Sequence, residues 1–206
     1  MTRREEIIFA TLELASEYGL GAVSLSQIAE KIGIKKPSLY NHFESKEQII
    51  DELYKVLEEK VRTGSNPPLR YELRFTDMSL EEILMACLPR YLEFLTTEDT
   101  LRFIKVLYSE RSISHTAARI MFDETERLTG NIKNLFYALV LHGKMKNEGV
   151  DEAALSFALT IRSLTERHMD MIRSGLAIPS GGIEIPEKTA EYIKWFCRYM
   201  EAENVE

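Results

Sequence analysis

Cysteine is scarce in this chain of 206 residues: Cys87 and Cys197 are its two, far apart and without metal-ligand spacing. That excludes a disulfide framework and a zinc finger, and leaves two buried, inert thiols as the expectation. Long apolar runs are also missing. The longest, Leu135 to Leu141, falls far short of the roughly 20 residues a spanning helix needs, so no membrane partner is expected. Met1 to Glu6 leads into an amphipathic helix and does not read as a signal peptide, so the expected location is cytoplasmic. Catalytic arrangements are missing as well. His42, His115, His142 and His168 have no two-histidine metal spacing, and there is no Gly-rich phosphate loop and no nucleophile elbow. Carboxylate neighbours such as Glu81 and Glu82 point to different sides of a helix. These absences argue against an enzyme, a metal or a cofactor.

Apolar residues make up 45% of the chain, enough for one large or two modest cores. Their period is helical almost throughout, with no β-rich run, which predicts an all-α fold of about nine helices. A first helix is expected over Arg3 to Tyr18, with Ile8, Leu12 and Ala15 inward and Gly19 as its stop. Ser24 with Gln27 has capping-box spacing and predicts a second helix carrying Ile28, Ala29 and Ile32, ended by Gly33. Pro37 suits the first turn of a third helix, predicted to continue through Ser38, Leu39, Tyr40, Asn41, His42 and Phe43. Leu39 and Phe43 lie four apart and can bury one side, which leaves Ser38, Tyr40, Asn41 and His42 outside. Ser45 with Gln48 repeats the capping spacing and starts a fourth helix at Lys46, whose free N–H groups can bind phosphate.

The run Tyr18-Gly19, Ile28-Ala29, Gly33-Ile34, Pro37-Ser38-Leu39-Tyr40-Asn41-His42-Phe43 and Lys46-Glu47 resembles the amino-terminal domain of the TetR family of transcriptional regulators. The resemblance covers roughly the first quarter of the chain. It implies a three-helix helix-turn-helix head on a helical body, and a homodimeric repressor that leaves its operator when a small apolar or amphipathic molecule enters the body. Leu25 stands where many members carry a hydroxyl residue, and Lys36-Pro37 replaces the commoner small residue or glycine pair, so the operator is not copied from a relative. Carried over position by position, the resemblance implies phosphate contacts from Lys46, from Tyr40 and from Ser24 or Ser26. Lys36, Pro37, Ser38, Asn41 and His42 are then placed to meet base edges, and Tyr40 can do either. Asn41 suits adenine and Lys36 suits guanine.

A formal net charge of −7 argues against a DNA partner until its distribution is considered. No acidic residue occurs from Lys31 to Asn41, a stretch that holds Lys31, Lys35 and Lys36. Acid is concentrated later, as in Glu58-Glu59, Glu124-Thr125-Glu126 and the tail from Glu201.

The expected domains are 1–47 for the head and 48–206 for the body, with a connecting helix over 48–62 and a Pro/Gly-containing linker over 63–78. Ser79 with Glu82 caps a helix that contains Pro89, and Asp151 is the expected cap of a long helix to Ser174. Met85, Tyr91, Phe94, Phe103, Tyr108, Phe122, Phe136 and Tyr137 supply the apolar area expected to line an effector pocket. The last two long helices are apolar on more than one side. Phe157, Ile161, Leu164, His168 and Met171, with Ile193, Phe196 and Met200, are the expected dimer stripe. Two heads one turn of DNA apart, roughly 34–36 Å or a multiple, would read a palindromic operator. The alternative from another class is a helical module that binds a protein through those leftover faces.

Overall fold

The computed structural model of the chain describes residues 1–64, 77–176 and 184–202. Most of the expected linker, and the end of the acidic tail, lie outside them. Among the described residues the elements are helical, nine α-helices and one short 3-10 turn, and the chain is all-α. No helix among them is long and apolar enough to cross a membrane. The chain divides into two compact units, Met1–Gly64 with Leu95–Glu124, and Ser65–Phe94 with Thr125–Glu206.

In the first unit, α1 (Arg3–Tyr18) starts at a capping box in which Thr2 and Glu5 satisfy each other's backbone N–H. Gly19 ends it at φ 84°, a left-handed value that costs glycine little. After the 3-10 turn Leu20–Ala22 come α2 (Leu25–Lys31), α3 (Lys36–Leu39) and α4 (Lys46–Gly64). α1 packs against α2, against α4 and against α6 (Glu98–Glu110). Ile7, Leu12, Ile28, Leu39, Phe43, Ile49, Leu53 and Leu57 are buried in one core with Phe103, Val106 and Leu107 of α6. Ala117, Ile120 and Met121 from the first turns of α7 (His115–Leu141) complete it.

The second unit is built from α5 (Leu80–Thr96), the later turns of α7, α8 (Val150–Arg173) and α9 (Glu187–Met200). The expected cap is formed: Ser79 Oγ accepts the Glu82 N–H at 3.2 Å, and Glu82 accepts the Ser79 N–H at 2.7 Å. Pro89 lies inside α5. At α8 the expectation is corrected. Gly149, at φ 67°, is the residue before the helix, and no side chain caps it. Asp151 instead accepts Lys133 at 2.6 Å and the Tyr137 hydroxyl at 2.8 Å, joining α7 to the first turn of α8. The centre of this unit is aromatic, with Phe157 4.9 Å from Phe196 and Phe136 within 5.5 Å of both. The chain then returns to Lys144–Lys146, where the Lys146 N–H donates to the Met200 carbonyl at 2.8 Å.

Candidate nucleic-acid interface

The head is assembled from local chemistry. Ser24 Oγ accepts the Gln27 N–H at 3.3 Å and donates to Gln27 Oε1 at 2.8 Å, so this exposed hydroxyl is engaged in holding the start of α2. Gly33, at φ 68°, turns the chain after α2, and the Ile34 N–H donates to the Ala29 carbonyl at 2.9 Å. α3 then begins at Lys36 with Pro37 in its first turn and without a side-chain cap.

α3 is shorter than expected. It stops at Leu39, and the N–H groups of Tyr40, Asn41 and His42 each donate to the carbonyl three residues back, at 3.2, 3.3 and 2.9 Å. This tighter 3-10 pattern carries Tyr40 to His42 as turns, and the Phe43 N–H then donates to the Leu39 carbonyl four residues back at 3.0 Å. The ends of the segment are nonetheless fixed, because Leu39 and Phe43 are both buried, at 1% and 2% exposure. What lies around those anchors is left outside. Tyr40 is 53% exposed; Lys36, Pro37 and Asn41 are exposed; Ser38 and His42 are half-buried.

Lys46 begins α4 and donates to the Gly21 carbonyl at 3.4 Å, which leads its stem across the turn after α1. The start of α4 is closed by Ser45 Oγ, which accepts the Gln48 N–H at 3.2 Å, while Gln48 Oε1 takes the Glu44 N–H at 2.7 Å. Beside Lys46, the Glu47 carboxyl is held below its ordinary range, first by its own backbone N–H and then by the Ser45 hydroxyl.

Cations are unequally free. Lys31 forms an ion pair with Glu13 at 2.9 Å, and Arg3 pairs with Glu6. Among the described residues no ion pair engages Lys35, Lys36 or Lys46, and Ser26 is exposed on α2. The nine head positions singled out in the sequence are thus all in one unit, four of them on α2 and α3 (Ser26, Lys36, Pro37 and Ser38), with Ser24 and Tyr40 immediately beside.

The expected effector residues are divided between the two units. Phe103 is buried in the first unit and Tyr108 packs against that core, whereas Phe136 is buried in the second, with Met85 and Tyr91 half-buried against it. Phe122 is 62% exposed, and Tyr137 is exposed with its hydroxyl on Asp151. The side chain of Phe94 lies outside the described residues.

The residues of the expected dimer stripe differ in burial. Phe157, Ile161, Ile193 and Phe196 are core residues of their own unit, while Leu164, His168, Met171 and Met200 are half-buried. The apolar side chains these two helices leave exposed are Leu155 and Leu159 on α8 and Trp195 and Tyr199 on α9. Their spacing of four in each helix is the signal, legible only once the inner stripe is known.

Residues 7–53 match the sequence profile of the bacterial regulatory proteins of the tetR family. The class C tetracycline repressor protein of Escherichia coli is 32% identical over 65 residues, 32% of this chain and 30% of that protein. The transcriptional repressor KstR2 of Rhodococcus jostii is 43% identical over 51 residues, 25% of each chain. The chain therefore aligns with about a quarter to a third of the length of these curated relatives. A solved chain from Mesorhizobium loti, assigned to the tetR family, superposes with a TM-score of 0.63 at 18% identity, covering 98% of this chain and 100% of that one. The head, residues 7–53, thus carries the amino-terminal domain of the tetR family of bacterial regulatory proteins, on a chain whose fold is that of the solved tetR-family structure.

Proposed function

We propose that the chain is a sequence-specific DNA-binding transcriptional regulator, working as a homodimeric repressor that a small apolar or amphipathic ligand releases from a palindromic operator. The observation that carries this reading is the recognition segment, in which buried Leu39 and Phe43 hold exposed Lys36, Pro37, Tyr40 and Asn41 on the outside of the head. In this reading Lys46, Tyr40 and Ser24 or Ser26 take phosphates; Lys36, Pro37, Ser38, Asn41 and His42 meet base edges. Ser24 is the weaker of the two hydroxyls, being already engaged with Gln27. Repression is supported by the names of the two matched relatives, both repressors. Dimerisation is supported by exposed Leu155, Leu159, Trp195 and Tyr199.

The test is selection of random genomic fragments at near-physiological salt by the native protein and by a Tyr40→Ala, Lys46→Ala double variant. Enrichment of a palindrome by the native protein alone is the expected result. No enrichment by a folded native dimer would overturn the reading in favour of a protein-binding helical module. Sedimentation at micromolar concentration checks the dimer, and a thermal-shift screen of apolar, aromatic and acyl compounds checks the effector.

A further inference from the structure

The recognition segment has little to hold it locally. α3 is four residues long and uncapped by a side chain, and the turns after it rest on three successive bonds to the carbonyl three residues back, the Asn41 one at 3.3 Å, closed by one bond from the Phe43 N–H to the Leu39 carbonyl at 3.0 Å. Short 3-10 turns of this kind open easily unless a tertiary contact closes them. One such contact comes from the far end of the head. Arg4, in the first turn of α1, donates through Nη1 to the His42 carbonyl, and its guanidinium carbon lies 4.2 Å from the centre of the Phe43 ring. The two interactions use different parts of one planar group, in-plane N–H for the carbonyl and the flat face for the ring.

We propose that Arg4 is a positioning residue for sequence reading: it latches the His42–Phe43 end of the recognition segment to α1 and so fixes Tyr40 and Asn41 against the base edges. The inference rests on the regulator reading above and adds a residue outside the helix-turn-helix motif to it. A lysine at position 4 keeps the charge but has no flat face to lay on Phe43. Methionine keeps most of the stem and has neither charge nor donor. The two substitutions therefore separate latch from charge.

The experiment compares native protein, Arg4→Lys and Arg4→Met on the selected operator and on an unrelated duplex across a salt series, with melting temperatures and amide hydrogen exchange of the free proteins. The latch predicts that both variants exchange the His42 and Phe43 amides faster. It also predicts that Arg4→Lys loses about tenfold in operator affinity, the scale of one lost base contact, with its affinity for the unrelated duplex and its salt slope unchanged. Arg4→Lys indistinguishable from native, with Arg4→Met losing about one unit of salt slope on both duplexes, would overturn the latch and make Arg4 a phosphate contact. Equal losses on both duplexes in step with a lower melting temperature would overturn it in favour of a purely structural role. Unchanged exchange at His42 and Phe43 would overturn it without reference to DNA. A native protein that enriches no operator removes the regulator reading itself, and the latch falls with it.

Discussion

Glu13 of α1 holds the ammonium of Lys31 at 2.9 Å, at the last residue of α2. The same carboxylate oxygen lies 3.8 Å from Arg102 of α6. One acid therefore damps two cations beside the head. All three side chains are about a third exposed, so the pairs stabilise the fold little, on the order of 1 kcal/mol or less. Glu13→Gln is expected to leave the denaturation midpoint nearly unchanged while raising DNA affinity about threefold at low salt, since it removes a charge that repels phosphate. Titrations at low and high salt check this, and a gain that persists at high salt would contradict it.

The two capping serines offer a paired comparison. Ser24→Ala and Ser79→Ala each remove an acceptor for a helix N-terminal N–H and should each lower stability by about 1 kcal/mol. DNA binding separates them: Ser24→Ala lowers operator affinity, and Ser79→Ala leaves it unchanged. Urea titration with a binding isotherm for each variant decides the matter.

Aromatic residues read as equivalent in sequence should part widely in stability. Phe136→Ala opens a cavity between Phe157 and Phe196 and is expected to cost about 3–5 kcal/mol. Phe122→Ala, at an exposed position, should fall within about 0.5 kcal/mol of native. Denaturant midpoints measure both.

Phosphate and base contacts respond differently to salt. Lys46→Ala should weaken binding to all duplexes alike and reduce the salt slope by about one. Lys36→Ala should instead change which sequence is selected. A preference unaltered by Lys36→Ala would remove that residue from the reading set.

Both thiols are raised, Cys87 to about 11 by burial and Cys197 to about 12, chiefly by burial with help from Glu81 and Glu201. Native protein at pH 8 should therefore react slowly with an alkylating reagent, and both thiols should react once it is unfolded. The linked stability has a definite sign. A raised folded value means the folded state keeps its protons longer, so this stability is intact below the unfolded thiol value of about 8.5 and is lost as pH rises from there toward 11 and 12. Denaturation midpoints at pH 7.5 and pH 10 test it, and a midpoint that rises between them would contradict it.

The parts legible in sequence are those that local chemistry decides. Ser24 with Gln27 and Ser79 with Glu82 form the caps their spacing predicts, because both partners lie within one helical turn. Gly33 takes the left-handed turn that ends α2 for the same reason. α3 was less legible: Leu39 and Phe43, four apart, suit a helix, and the backbone keeps the helical bond between them at 3.0 Å while Tyr40 to His42 tighten into 3-10 turns. Which core a helix joins was not legible at all. Phe103, Val106 and Leu107 give α6 an apolar stripe, but nothing near them in sequence says that the stripe faces α1. On α8 and α9 the ambiguity ran the other way. With apolar residues on two sides, the heavier stripe of Phe157, Ile161, Ile193 and Phe196 went inward, where it buries more area. Gly149 displaced Asp151 as the residue before α8 because a left-handed glycine leaves no side-chain signature. The contacts of Arg4 leave no local signal, because His42 lies 38 residues further along the chain and Phe43 one beyond it.

Trp195 is the one tryptophan of the chain, and it stands half in solvent with its ring 5.9 Å from Tyr192 and 5.0 Å from Tyr199. Its emission therefore comes from a single place on the outer side of α9, with no second indole to blur it. Whatever covers that side displaces water from this ring and moves its emission maximum to the blue, so this indole is an optical gauge of any surface that docks on it. Dilution from micromolar to nanomolar, followed by light alone, reads the coverage of α9 without a label or a variant.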